Sequence, residues 1–273
     1  MMMRIRGAGF GVFVFAVAAN ALAADPVPEE KLPQAPQARH FLVSRLPDQE
    51  LNLGGTLAAL DSEHTVLYHQ DFGGGGATIG FLFGLTGVIV NAAIVSHRTE
   101  REAASINGKL SLKLVELLTE LADADETDAS NTPPVSLSPL LRLVATQGGS
   151  LLFGCELVVK ETKDGSPSAS RYLVVLPFDM PRAELMYGIS EERRAEIAGH
   201  ARGGFEKAFA LYRADRGGKL LSQSEVSFKS TYMSPRDDLP FKATRVSDPE
   251  EPGLTVRMKN VVIALPREDI ELL

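Results

Sequence analysis

The chain has 273 residues, 44% hydrophobic and 23% charged, with one cysteine and no tryptophan. That composition excludes disorder, collagen and coiled coil as descriptions of the whole, and a lone Cys155 excludes a disulfide scaffold. Lys and Arg number 28 against 35 Asp and Glu, a net charge of -7, so no global positive field draws the protein to nucleic acid, and no nucleic-acid partner is expected.

Residues 1–23 carry Arg4 and Arg6, then an apolar run from Ala8 to Ala19, then Ala21-Leu22-Ala23. This is the three-part pattern of a secretory signal peptide, cleaved before Ala24. It predicts an exported protein of the periplasm or cell envelope, with an uncleaved signal anchor as the alternative. Residues 24–39 contain Pro26, Pro28, Pro33 and Pro36 among polar residues and read as an extended linker. In residues 40–72, His40–Leu46, Gly55–Leu60 and His64–Gln70 are short apolar or alternating runs between turn residues, and predict strands or hairpin arms.

Residues 73–96 stand apart. From Gly73 to Val95 there is no charge, and a helix from Gly76 to Val95 has 20 residues, spanning roughly 30 Å, about the hydrocarbon thickness of a bilayer. Gly76, Gly80 and Gly84 stand four apart, and Gly87 and Asn91 continue their stripe. Such a stripe lets a second backbone approach, and Asn91 on it is placed to hydrogen-bond across the contact. The segment resembles the glycine zippers of bacterial cell-envelope and membrane-associated proteins, over about twenty residues only. The resemblance implies helix packing in or on a membrane, through Gly76, Gly80 and Gly84. It makes lipid, an envelope protein or a second copy of the chain the expected partners. Because each interior glycine costs a helix about 0.8–1.0 kcal/mol, a buried hairpin or glycine-rich loop in a soluble fold remains the other reading. Arg98, Arg101, Lys109 and Lys113 follow the segment, while the twenty residues before Gly76 hold no Lys or Arg. The positive-inside rule would then put the C-terminal region in the cytoplasm, a conflict with export that a reversibly inserted segment avoids.

Residues 97–273 read as an α+β domain built mainly on an antiparallel sheet with a few helices. Helices are expected at Arg98–Ile106 and Ser111–Leu121, and a loop at Asp123–Pro134. Strands follow at Leu141–Thr146, Leu151–Thr162 and Arg171–Phe178. Ser190 caps a helix whose apolar positions Ile197, Ala201, Phe205, Ala208 and Tyr212 recur every three or four residues, stopping at Gly217-Gly218. Ser224–Tyr232, Leu239–Val246 and Leu254–Leu265 complete the strands.

The chemistry is sparse. His64 and His69 are five apart, face opposite ways on a strand and make no metal site, so a surface role is expected. His97 beside Arg98 reads as an interfacial anchor. Cys155 in an apolar run reads as a buried thiol, and Glu191, Glu192 and Glu196 as the solvated first turns of their helix. Asp179, before Met180-Pro181, reads as a turn residue. The GGGG run at 73–76 lacks a following Lys-Ser/Thr and is no phosphate loop. No catalytic residue, metal ligand or cofactor motif is assigned. The reading favoured is a non-catalytic, membrane-associated envelope protein with a partner-binding domain, and the alternative is an exported hydrolase whose site the sequence does not announce.

Overall fold

The run Val135–Ala145 (V-S-L-S-P-L-L-R-L-V-A) is buried at nearly every position, as is much of Ser150–Lys163. Strands that lack a polar face are covered on both sides. The computed structural model describes residues 41–51, 53, 56–70, 92–124, 134–163, 165–235, 239–247 and 253–273. Their strands form one mixed sheet. β1 is Phe41–Val43, β2 Leu57–Ala59, β3 Val66–Gln70, β4 Val135–Ala145, β5 Ser150–Lys163 and β6 Ser166–Pro181. β7 is Ser222–Ser230, β8 Phe241–Val246, β9 Leu254–Met258, β10 Val261–Leu265 and β11 Ile270–Leu272. The order is β11-β7-β8-β9-β10-β6-β5-β4-β3-β2, with β1 also on β4. Three pairings are parallel, β1 with β4, β3 with β4 and β10 with β6, and the other seven are antiparallel. The α+β class with a mostly antiparallel sheet therefore holds.

Pro139 explains how two strands share one edge of β4. The Leu141 N–H donates to the Thr65 carbonyl at 2.8 Å, so odd positions of β4 offer their donors to this edge. Pro139 has none to offer. β1 pairs with Val135–Leu137 on one side of it, and β3 with Leu141–Ala145 on the other.

Five helices occur among the described residues: α1 Asp48–Leu51, α2 Ala92–Ile106, α3 Leu114–Asp123, α4 Arg182–Tyr187 and α5 Glu191–Arg216. The long α5 forms as its sequence requires. Ser190 Oγ accepts the Arg193 N–H at 3.2 Å, Ile197, Ala201, Phe205, Ala208 and Tyr212 are buried, and Gly218 at φ +67° turns the chain away. α2 is tied down by one carboxylate. Glu102 accepts hydrogen bonds from Tyr68 Oη at 2.8 Å, Gln70 Nε2 at 2.9 Å and Arg182 Nη1 at 2.7 Å.

The sheet has a core on each face. Helices α2, α3 and α5 cover one, where Leu114, Leu118, Phe153, Cys155, Phe205 and Tyr212 meet. The other contains Leu67, Leu140, Val158, Leu173, Phe228, Tyr232 and Phe241. β7 lies five strand positions from β5, about 24 Å in a flat sheet, yet the Tyr232 ring, just past β7, rests on Gly154 of β5. The sheet must curl over, and this second core fills the inside of the curl. Within it Glu156 bridges Arg142 and, at 2.8 Å, Arg171. Burial pushes the Glu156 carboxyl up, but the two guanidiniums more than offset it and hold it below its ordinary value.

Several expectations need correction. His69 is not at the surface: it is 1% exposed on β3, and burial, with Arg142 nearby, lowers its pKa to about 3. Asp179 lies within β6 and not in a turn, because that strand runs on to Pro181. Leu254–Leu265 is two strands, not one, folded back at Lys259-Asn260 with Lys259 at φ +55°. From residues 40–72, β2 and β3 extend the same sheet. The boundary at residue 97 falls inside α2, which already starts at Ala92. The apolar glycine-rich helix expected at 76–95 falls, up to residue 91, outside the described residues, and among those residues no helix is long and apolar enough to cross a membrane.

Two measurements test this interior. Glu156→Leu leaves the buried Arg142 and the part-buried Arg171 without their shared carboxylate and should cost about 3 kcal/mol in urea denaturation. Tyr232→Phe should change stability by less than about 1 kcal/mol, because its buried hydroxyl meets no hydrogen-bond partner among the described residues. The second test is pH. With His69 at about 3 in the fold and 6.5 when unfolded, the unfolded chain binds the proton first, so stability is lost as pH falls below 6.5. Wild type should lose about 2 kcal/mol relative to His69→Gln between pH 7 and pH 5.

Candidate functional site

The sheet opens where β10 leaves β6. These parallel strands pair from Arg171 with Val261 to Val174 with Ala264, and the Arg171 N–H donates to the Asn260 carbonyl at 3.0 Å. Period two places the following donors of this ladder at 173, 175 and 177 on β6 and at 262, 264 and 266 on β10. Positions 177 and 266 are both proline, and β6 bulges at this point, with Gly154 opposite Val175 but Leu152 opposite Asp179, so the regular ladder ends at Val175. β10 turns away into a 3-10 turn at Arg267–Asp269, while β6 continues to Pro181. The Val175 carbonyl, whose next ladder donor would be position 266, is left facing the gap.

This gap is a cleft of about 710 Å³ lined by Val174–Pro177 of β6, by Gly253 and Pro266–Glu268, and by Glu196, Gly199, His200, Gly203, Gly204 and Lys207 of α5. Three glycines on α5 do two different jobs. A Cβ on Gly204 would stand 2.6 Å from Cys155 Sγ and 2.8 Å from Leu176 Cδ2, so glycine there permits close helix–sheet contact. Gly199 and Gly203, exposed and four apart, would place a Cβ in open space. They leave bare helix backbone as one wall of the cleft.

The polar groups are held in place by neighbours. His200 stacks on Phe178 with centroids 4.5 Å apart, and the Arg193 guanidinium lies 4.9 Å from the same ring's centroid. Glu196 pairs with Arg193 at 2.5 Å. Lys207 on α5 and Arg267 on the 3-10 turn bring cations from two different walls, and Glu268 adds a carboxylate beside Arg267. Asp269 anchors that turn: Ser230 Oγ donates to it at 2.5 Å and the Tyr232 N–H at 2.9 Å. Burial raises its carboxyl to about 6, against the lowering effect of these donors. Its oxygens are thus committed to β7 and the turn after it.

Gly76, Gly80, Gly84, Gly87 and Asn91 are outside the described residues. His97 is exposed on α2, where Arg101 Nη2 donates to its Nε2 at 2.9 Å. His64, at φ +56°, pairs its Nδ1 with Asp48 Oδ1 at 2.8 Å. Cys155 is fully buried, and burial drives its thiol pKa up, away from thiolate chemistry. Among the described residues no group of three or more His, Cys, Asp or Glu is placed to hold a metal ion. Of the cleft residues, Glu196 was read from sequence only as part of a solvated helix face, although two signals marked the others: glycines four apart inside a strong helix, and a Leu-Pro pair in two apolar runs at 176–177 and 265–266.

No protein family matches this chain, and neither does any curated protein. A solved structure of a protein described as uncharacterised is similar at 11% identity over 66% of this chain and 93% of its own, with a TM-score of 0.22. A likeness at that level carries no argument about fold or function.

Because nothing obstructs a side chain at either position, Gly199→Ala and Gly203→Ala should each raise stability by about 0.8–1.0 kcal/mol through helix propensity. Gly204→Ala should lower it, since its methyl meets Cys155 and Leu176. Thermal denaturation of the three variants separates the two roles.

Proposed function

We propose that this is an exported, non-catalytic cell-envelope protein, associated with the membrane through its glycine-zipper segment, whose α+β domain binds a ligand in the cleft between β6 and β10. The observation that carries the binding role is the make-up of the cleft: its walls are main chain, proline, Val and Leu, with bare helix backbone at Gly199 and Gly203. Sites of this kind, mostly apolar with a few placed polar groups, hold ligands. The hydrolase reading gains nothing from the carboxyl group that is raised towards neutrality, because Asp269 is turned to Ser230 and Tyr232. Glu196 is paired with Arg193, and His200 stacks its ring on Phe178.

Export and anchoring are supported by the Arg4 to Ala23 pattern and by the uncharged stretch Gly73–Val95. The cell-based test is fractionation with an alkaline carbonate wash and N-terminal sequencing. A chain that starts at Ala24 and stays with membranes, but is released by Gly80→Leu with Gly84→Leu, is the expected result. A wild-type chain released by the wash would overturn the anchoring. Hydrolysis of p-nitrophenyl octanoate by purified protein, abolished in His200→Ala, would overturn the non-catalytic role.

A further inference from the structure

We propose that the cleft between β6 and β10 takes a neutral apolar alcohol: a hydrocarbon body against the glycine wall, with its hydroxyl donating to the Val175 carbonyl. The assignment rests on the cleft being a binding site and names the class of its occupant.

Size and shape come first. About 710 Å³ lies within the roughly 300–1,000 Å³ of small-molecule sites. Val174, Val175, Leu176, Pro177 and Pro266 give apolar contact from the sheet side. Gly199 and Gly203 on α5 meet nothing among the described residues that would forbid a side chain, and alanine would suit the helix better. An occupant lying against the helix gives the bare backbone its use. A partner strand is not that occupant, because β6 bulges between Val175 and Asp179 and Pro177 has no N–H, so the gap presents no regular edge to pair with.

The polar end is set by main chain. The Arg171 N–H donates to the Asn260 carbonyl at 3.0 Å, and the pairing runs on to Val174 with Ala264. In that parallel pattern the Val175 N–H is directed to the Ala264 carbonyl, and the Val175 carbonyl looks to position 266 for its donor. Position 266 is proline and has none. A carbonyl on a residue only 4% exposed is costly to leave unpaired, and a ligand hydroxyl satisfies it.

Charge keeps the end group neutral. Among the groups lining the cleft, Glu196 pairs with Arg193 at 2.5 Å, Lys207 is engaged in a contact of its own, and Arg267 and Glu268 are adjacent and of opposite sign. An ionised ligand would shed its hydration without gaining a counter-charge. A carboxylate, which only accepts, would also meet the Val175 carbonyl with repulsion.

The test uses the neutral fluorescent probe N-phenyl-1-naphthylamine as reporter on the full mature chain, with 1-decanol, its isomer nonyl methyl ether and ionised decanoate as competitors. Decanol should displace the reporter, while the ether, which lacks a donor, should compete about three- to tenfold less well and decanoate about tenfold less well. Pro266→Ala supplies a main-chain donor to Val175 and should bring decanol down to the affinity of the ether while leaving the ether unchanged. Gly199→Leu with Gly203→Leu should keep an unchanged or raised melting temperature and lose reporter and decanol alike by more than about tenfold. Wild-type reporter binding in the folded double-leucine variant would overturn the cleft as a binding site, and this assignment with it. Equal competition by decanol and the ether, tighter binding of decanoate than of decanol, or undiminished discrimination in Pro266→Ala would each overturn the alcohol alone and leave the site standing.

Discussion

Four residue pairs hold the two halves of this sheet together. β1 to β6 form one half and β7 to β11 the other, and among the described residues they meet in the sheet only where Arg171–Val174 of β6 lie parallel to Val261–Ala264 of β10. Everything distinctive follows from that short seam. A parallel pairing needs a long crossover between its strands, and the chain from Pro181 to Asn260 supplies it, with α4 and α5 on one face and β7 to β9 curling over the other. Because the seam is short, its end is inside the molecule, and the cleft is the space beyond that end.

The seam is braced from within. Arg171, its first residue, reaches Glu156, which Arg142 also holds, so β4, β5 and β6 are cross-linked by charge at the point where the second half attaches. Two guanidiniums and one carboxylate in a core are costly to desolvate, and apolar replacements of equal volume would serve stability as well or better. What the triad supplies is directional. A carboxylate that accepts from two strands on either side fixes their register in a way that exchangeable apolar contacts do not. His69 is kept neutral by the same surroundings: burial disfavours its charged form, and Arg142 adds to that.

Legibility from sequence tracked how local each determinant is. α5 could be read almost to the residue, because Ser190, the apolar stripe and Gly217-Gly218 are all local signals. Strand β5 was placed to within a residue at each end, while β6 was placed too short, because Ser166–Ser170 are turn-prone in composition and exposed or half-buried, yet they pair with the end of β5. The hairpin at Lys259-Asn260 was missed because its turn lacks the usual glycine, and Lys259 takes the left-handed conformation itself. His69 was misassigned for a different reason: β3 is buried on both faces, which depends on the two cores packed above and below the sheet and not on its own five residues. The cleft was invisible for the same cause. Pro177 and Pro266 are 89 positions apart in the chain, and only their register across the seam makes them one feature.

That register also settles what kind of opening the fold has made. Strand edges are ordinarily closed by charges, bulges or covering helices, because an exposed row of donors and acceptors recruits other strands. Here proline ends the ladder from both sides at once, so the gap keeps an acceptor at Val175 and loses the donors that strand addition requires. The helix across the gap contributes no side chain at Gly199 or Gly203, yet at Gly204 it is pressed so close to Cys155 that none would fit. Adjacent glycines with opposite surroundings mean that α5 is held tightly against the sheet while its flank is left bare. A wall fixed that firmly does not collapse into the space beside it. The cleft therefore persists as a preformed volume, which lowers the ordering cost of anything that binds there.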